Sequence, residues 1–135
     1  MDEYNPEPVD FAERTVRRRQ GWLRRTVTTK DTTTVYDRET VRRWIREMHQ
    51  ETSQSVTVNR PWGSVCVMSA GTPPTGVMVF EPTRFTYAGT PLGMPTPDGR
   101  PAPGDAPLTP AEVEQIVLDA LTSESLPEWP QWRER

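Results

Sequence analysis

The sequence predicts an α+β fold, in which an antiparallel meander sheet of about five or six strands is packed by two amphipathic helices. Two stretches, 38–51 and 110–124, repeat apolar residues at helical spacing, and several shorter stretches alternate apolar with polar residues as strands do. The chain has 135 residues, which is enough for one hydrophobic core and too short for two. We therefore expect a polar, charged head over residues 1–20 and a single domain over residues 21–135.

The first 36 residues predict a tail, a short helix and a β-hairpin. Residues 1–10 are polar and contain Pro6 and Pro8, which is typical of a mobile tail. Residues 11–19 have a weak helical pattern, so a short helix is expected there. Residues 22–29 and 32–36 are rich in β-branched side chains, and Lys30-Asp31 between them suits a two-residue turn.

The stretch 38–51 has the clearest helical pattern in the first half of the chain. Asp37 is a natural N-cap, and Glu39 suits the positive end of the helix dipole. Apolar side chains then recur at i, i+3, i+4 and i+7, at Val41, Trp44, Ile45 and Met48. We expect this stripe to lie in the core.

The middle of the chain predicts an antiparallel meander. Residues 55–59, 64–68, 76–80 and 83–87 read as strands, and residues 70–75 form a turn by their composition. Residues 88–108 follow with six Pro and four Gly and almost no large apolar side chain. This segment predicts a long surface loop, which is either a tolerated insertion or a functional element.

The stretch 110–124 predicts the second helix. Thr109 and Glu112 have the spacing of a capping box, with Pro110 at the first helical position. After this helix, Pro127 and Pro130 favour an extended path. Trp129 and Trp132 on that path either pack back on the domain or offer an aromatic anchor to a partner.

Charge is divided into blocks along the chain, although the net charge is only −3. Residues 1–13 carry five acids and no base, residues 14–46 have a net charge of +8, and residues 105–135 have a net charge of −5. Either the acidic ends neutralise the basic segment within one fold, or one charged face meets a partner of opposite sign.

The composition argues against catalysis and against bound cofactors. One Cys excludes a disulfide framework, and one His excludes a His-rich metal site. Cys66 stands between two valines and reads as a structural strand residue, and His49 ends a helix, where a cation suits the dipole. The Gly-rich segments hold Pro where phosphate binding needs backbone N–H donors. We expect no enzyme activity, no metal and no cofactor.

The compartment follows from the start of the chain and its longest uncharged stretch. Residues 1–8 are acidic and have no apolar core of a secretory signal. Residues 61–80 are uncharged, but their Gly and Pro break any spanning helix. The expectation is a cytoplasmic protein without a membrane segment.

A basic segment is the best candidate for nucleic-acid binding. Arginine clamps phosphate with two donors, and an indole ring can stack on a base. The residues concerned are Arg17, Arg18, Arg19, Trp22, Arg24 and Arg25. If these residues bind nucleic acid, the protein is expected to be a small phage or host regulatory protein. A third possible function is that of an adaptor that uses the Pro-rich loop.

The order of the elements resembles family one of the immunity proteins of bacterial polymorphic toxin systems. The resemblance covers residues 24–134: a hairpin, the helix VRRWIREM, a meander around a Gly-centred turn, the helix LTPAEVEQIVLDAL and the ending LPEWPQW. It implies a non-enzymatic protein that binds a cognate toxin domain, often a nuclease or a nucleic-acid deaminase, and blocks its active site.

Candidate partner-binding residues follow from this implied function. Toxins that act on nucleic acids tend to have basic clefts, so an acidic face would steer their encounter with an inhibitor. The acidic and aromatic residues of the C-terminal region are the candidates: Glu112, Asp119, Glu124, Glu128, Trp129 and Trp132.

Overall fold

A computed structural model describes residues 10–22, 25–50, 53–92 and 106–134. The part of the chain so described forms a seven-stranded sheet and two helices, which confirms the α+β fold. The helices are α1 (Arg38–Arg46) and α2 (Pro110–Ala120). The strands are β1 (Phe11–Gln20), β2 (Arg25–Thr34), β3 (Gln54–Arg60), β4 (Gly63–Ser69), β5 (Gly76–Glu81), β6 (Arg84–Gly89) and β7 (Arg133–Glu134).

The sheet has the order β2-β1-β3-β4-β5-β6-β7, and every neighbouring pair is antiparallel. The run from β3 to β6 is the predicted meander. Valines recur at every second position along β3, β4 and β5, so that they share one face of the sheet. That face packs against both helices, and its valines are fully buried: Val56, Val58, Val65, Val67, Val77 and Val79.

The predicted helix over residues 11–19 is wrong, because this segment is strand β1. Ala12 and Val16 are buried on the helix-facing side of the sheet, and β1 pairs with both β2 and β3. Arg14 lies between them on the same side and covers the ring of Trp44 at 5.4 Å from the ring centroid. This cation–π contact stabilises the guanidinium of Arg14 at a core-facing position. Because an arginine stands where an apolar side chain is expected, the sequence of β1 does not show the alternation that is typical of a strand. Residues 11–20 of the predicted head therefore belong to the sheet, and residues 1–9 lie outside the described residues.

The predicted turn at Lys30-Asp31 is also wrong, because β2 runs without interruption from Arg25 to Thr34. The chain reverses at Gly21 instead, which has a φ of 76°. Glycine adopts this left-handed conformation without steric cost, whereas Lys30 and Asp31 do not. Asp31 instead accepts a hydrogen bond from Arg14 of the neighbouring strand, at 2.7 Å.

Both helices are found where they are predicted, but each is shorter. α1 ends at Arg46, and a 3₁₀ turn over Met48–Gln50 replaces its last turn. The carbonyl oxygen of Met48 accepts hydrogen bonds from Gln54 Nε2 at 3.0 Å and Ser69 Oγ at 2.9 Å. These bonds satisfy two buried polar side chains and fasten the turn to the sheet. α2 ends at Ala120, and the N-caps Asp37 and Thr109 are both as predicted.

The C-terminal segment after α2 packs back on the domain. Leu126 and Trp132 lie against the hydrophobic core, and the two-residue strand β7 pairs with β6. β7 is a strand that the sequence did not predict. The central part of the predicted Pro-rich loop, residues 93–105, lies outside the described residues.

Candidate partner-binding surfaces

The predicted acidic and aromatic residues converge on one side of the molecule, which we call the acidic–aromatic surface (Glu112, Asp119, Glu124, Glu128, Trp129 and Trp132). Glu112 and Asp119 lie two turns apart on α2, and the other four follow on the C-terminal segment. Between residues 106 and 134 the sequence holds six acids and one base. The side of the domain formed by α2 and the C-terminal segment is therefore strongly negative.

Trp129 is the most exposed aromatic side chain of this surface, at 48%. Its indole Nε1–H donates to Asp119 Oδ2 at 3.1 Å, and Asp119 Oδ1 accepts a second hydrogen bond from Gln115 Nε2 at 2.7 Å. Asp119 therefore holds the indole in one orientation while leaving half of its surface open. An aromatic side chain presented in this way loses little conformational entropy when a partner covers it.

Glu112 and Trp129 line one cleft of about 370 Å³, together with Leu108, Pro130 and Arg133. The carboxylate of Glu112 accepts a hydrogen bond from the backbone N–H of Thr109 at 3.0 Å and closes the capping box of α2. Glu112 therefore caps α2, and its negative charge also lines the cleft. The structure brings these two predicted residues together.

Glu128 and Trp132 line a second cleft, of about 390 Å³, together with Trp62. Trp132 is half-buried, and its Nε1–H donates to the carbonyl oxygen of Pro127 at 2.6 Å. Glu124 is exposed and lines neither of these two clefts. The two predicted tryptophans therefore have different surroundings, since Trp132 supports the core and Trp129 faces outward.

Sequence reasoning missed the other residues of this second cleft. Trp62 stands in the turn between β3 and β4, Glu81 and Arg84 flank the turn between β5 and β6, and Thr86 is in β6. These positions are far from Trp132 in the sequence. The Pro-Trp-Gly run at 61–63 is the sequence signal for this cleft, because a tryptophan in a tight turn has few core residues beside it in its own segment.

The predicted nucleic-acid residues lie at the opposite edge of the sheet, on a structure that we call the basic ribbon (residues 17–20 and 25–28). The ladder between β1 and β3 ends at Val16, but β1 and β2 stay paired as far as Gln20 and Arg25. Arg17, Arg18, Arg19 and Arg25 are all exposed there, and Trp22 at the turn is 89% exposed. Arg24 lies outside the described residues.

The arginines of the basic ribbon point to both of its faces. Ala12 and Val16 face the helices, so alternation puts Arg18 on the helix side and Arg17 and Arg19 on the other side. Among the residues that the structure describes, Arg17, Arg19 and Arg25 form no ion pair, whereas Arg42, Arg43 and Arg46 of α1 do. The described residues therefore place exposed arginines on both strands of the ribbon.

Two further titratable side chains, Cys66 and His49, lie outside both surfaces. Burial raises the pKa of the Cys66 thiol, and its hydrogen bond with Thr57 only partly offsets this effect. His49 is exposed in the 3₁₀ turn. Within the described ranges, no three His, Cys, Asp or Glu side chains are grouped so as to hold a metal ion.

Comparison with known proteins found no family profile, no curated protein and no solved structure that matches this chain. No helix among the described residues is long and apolar enough to span a bilayer. The resemblance to the immunity proteins stays a prediction.

Proposed function

We propose that this protein is a non-enzymatic, cytoplasmic immunity protein that binds and neutralises a cognate toxin domain acting on nucleic acid. The observation that carries the proposal is Trp129, half-exposed and held by Asp119 within a strongly acidic surface. An oriented, exposed indole surrounded by carboxylates is the pattern of an interface anchor with a charged rim.

Charge gives the acidic–aromatic surface its expected partner. A domain that acts on nucleic acid needs a basic cleft for phosphate, and the four carboxylates of the acidic–aromatic surface complement such a cleft. Occupying the cleft would exclude the substrate without any chemistry by the inhibitor. The proposed mechanism is therefore competition for the toxin's substrate site.

The decisive experiment uses the toxin domain encoded by the gene next to this one. We expect co-expression of the full chain to restore growth and the purified proteins to form a complex. Replacement of Trp129 by Ala is expected to weaken binding by about 2 kcal/mol, or about 30-fold in Kd, because an anchor residue is lost. Isothermal titration calorimetry measures this change.

Trp22→Ala is the matched control for Trp129→Ala. It removes an equally large and more exposed indole, but from the turn of the basic ribbon at the other edge of the sheet. We expect its Kd for the toxin to equal that of the unaltered protein. No complex and no rescue of growth would reject the proposed function, and equal losses for both variants would reject the acidic–aromatic surface as the interface.

The basic ribbon supports a second candidate function, the binding of nucleic acid. A two-stranded β-ribbon fits the major groove of duplex DNA, and here it carries three exposed arginines without an ion pair among the described residues. The exposed Trp22 at its turn could stack on a base. This function would make the protein a regulator rather than an inhibitor.

Salt dependence tests this second candidate. Duplex and single-stranded DNA should bind with an affinity that falls steeply as salt rises, and Arg17, Arg19 and Arg25→Gln should remove most of that dependence. Arg38, Arg42 and Arg43→Gln is the matched control, since it removes the same charge from α1. Equal effects of the two triple variants would show that the ribbon has no special role.

A further inference from the structure

The cleft between Trp62 and Trp132 joins two residues of the acidic–aromatic surface, Glu128 and Trp132, to residues that the proposed function does not use: Trp62, Glu81, Arg84 and Thr86. It lies between β6, the turn before β4 and the C-terminal segment, and it has a volume of about 390 Å³. We propose that this Trp62–Trp132 cleft binds the guanidinium group of an arginine side chain from the partner protein. The partner is the toxin of the proposed function, on which this inference rests for the partner's identity alone.

The two indole rings give the cleft fixed aromatic walls. Trp62 Nε1–H donates to the carbonyl oxygen of Ser123 at 3.1 Å, and Trp132 Nε1–H donates to that of Pro127 at 2.6 Å. Both rings also pack against the hydrophobic core. Since their N–H donors are already used, the rings can offer a ligand their π surfaces, and a cation is attracted to such a surface.

The charges at the cleft leave room for one further cation. Glu81 and Glu128 contribute two carboxylates, and Arg84 contributes one guanidinium. Arg84 donates twice to the same oxygen, Glu81 Oε1, through Nε at 3.1 Å and Nη2 at 2.9 Å. The net charge of the lining is therefore −1, and a bound arginine side chain would neutralise it.

Thr86 is an independent sign that a polar ligand belongs here. It lines the cleft from β6 and is 3% exposed, yet its Oγ1 has no hydrogen-bond partner among the described residues. A buried hydroxyl without a partner is costly to the folded state, so such groups are uncommon. The hydroxyl is covered in this structure, so the N–H donors of a guanidinium would reach it only after the lining of the cleft shifts.

These features favour arginine over lysine as the occupant. A guanidinium is planar and stacks on an indole while its edge donates to carboxylates, whereas an ammonium group is compact and strongly hydrated. The cleft supplies both parts of that recognition, with Trp62 and Trp132 as walls and Glu128 as an exposed carboxylate at the rim. Lysine is the competing occupant that the experiment must exclude.

The test titrates the full chain, without any toxin, with N-acetyl-arginine amide and follows the indole ¹H–¹⁵N signals. We expect those of Trp62 and Trp132 to shift with a dissociation constant on the order of 10 mM, because one side chain makes few contacts. N-acetyl-citrulline amide has the same shape without the charge, and N-acetyl-lysine amide has the charge without the plane. Both should bind at least about fivefold more weakly.

Two variants assign the binding to the cleft. Glu128→Gln removes the rim carboxylate, and Thr86→Val replaces the buried hydroxyl by a methyl group of equal size. Each should reduce arginine binding severalfold, while thermal unfolding of Thr86→Val stays at or above the unaltered temperature because an unpartnered hydroxyl is lost. Glu39→Gln is the matched control, since Glu39 is an exposed carboxylate on α1, outside the cleft.

Three results would overturn the inference: no indole shift up to about 50 mM arginine amide, an equal response to citrulline or lysine amide, or an unchanged response in Glu128→Gln. The outcome is separable from that of the proposed function, because the titration contains no toxin. Arginine binding without any toxin complex would reject the proposed function alone. A toxin complex without arginine binding would reject the cleft alone.

Discussion

The position of Cys66 in the sheet determines how reactive its thiol is. Cys66 alternates with Val65 and Val67 on β4, so it lies on the sheet face opposite to the helices. It is half-buried there, and burial raises the pKa of its thiol. The thiolate is the reactive form, so the surroundings of Cys66 suppress reactivity.

Iodoacetamide labelling at pH 7.5 tests this interpretation of Cys66. We expect the folded protein to react much more slowly than the same protein unfolded in guanidinium chloride, because folding lowers the thiolate fraction and the access of reagent. Mass spectrometry counts the label on a chain with one cysteine. Equal rates in both states would contradict the interpretation.

The N-cap residue of α1, Asp37, makes part of the stability of the folded protein depend on pH. Hydrogen bonds from Thr40 and from the Thr33 hydroxyl hold the pKa of its carboxyl below the usual value of 3.8. A carboxyl with a lowered pKa adds stability above its unfolded pKa and loses that contribution as pH falls through the folded value. The contribution of Asp37 should therefore be constant above about pH 5 and shrink below about pH 4.

Asp37→Asn measures that contribution. Asparagine keeps the capping geometry but cannot ionise, so the difference in unfolding free energy between the two proteins should fall towards zero as pH drops from about 5 to about 3. Urea unfolding at each pH provides the values. A difference that grows in acid would mean that the carboxylate is not stabilised by its neighbours.

At the scale of elements, α2 begins with a capping box between Thr109 and Glu112. Thr109 Oγ1 accepts from the backbone N–H of Glu112 at 3.1 Å, and the Glu112 carboxylate accepts from the Thr109 N–H in return. α2 also carries the acidic–aromatic surface. Loss of the cap should therefore affect both stability and the site.

Thr109→Ala is expected to lower the free energy of unfolding by about 1 kcal/mol, since the orphan N–H groups of the first turn lose a partner. Thr122→Ala, just beyond α2, is the matched control and should change stability by less than about 0.5 kcal/mol. Denaturant unfolding measures both. Similar effects of the two variants would show that the capping box contributes little.

The sequence predicted those elements whose signal is local. α1, α2 and the strands β3 to β6 each have an apolar pattern that is complete within the segment. Strand β1 was missed because Arg14 occupies a core-facing position and is satisfied by Trp44 and Asp31, which are distant in the sequence. The Trp62–Trp132 cleft was missed for the same reason, because Trp62, Thr86 and Trp132 meet only after the sheet is assembled.

At the scale of the whole molecule, charge is separated across the sheet. The basic ribbon lies at the β2 edge and the C-terminal part of the acidic–aromatic surface lies near the β7 edge, with five strands between β2 and β7. At a strand spacing of about 4.8 Å, the two edges are about 29 Å apart, which is beyond the Debye length of about 8 Å at physiological salt. The two charged regions therefore act on partners independently of each other.

This separation predicts how the toxin should associate. Glu124→Lys on the acidic–aromatic surface is expected to slow association severalfold at low salt, with a smaller effect as salt rises. Glu39→Lys reverses an equal charge on α1 and should leave the association rate nearly unchanged. Stopped-flow kinetics at several salt concentrations distinguishes these outcomes, and equal slowing by both variants would show that only net charge matters.

The five tryptophans report on different parts of this architecture. Trp44 is buried in the core, Trp22 is at the turn of the basic ribbon, Trp129 is on the acidic–aromatic surface, and Trp62 and Trp132 line the same cleft. Each of these four regions thus contains at least one intrinsic fluorescent probe. In variants that retain a single tryptophan, a shift in the wavelength of maximum fluorescence emission would show which region a newly found ligand contacts, without an added dye.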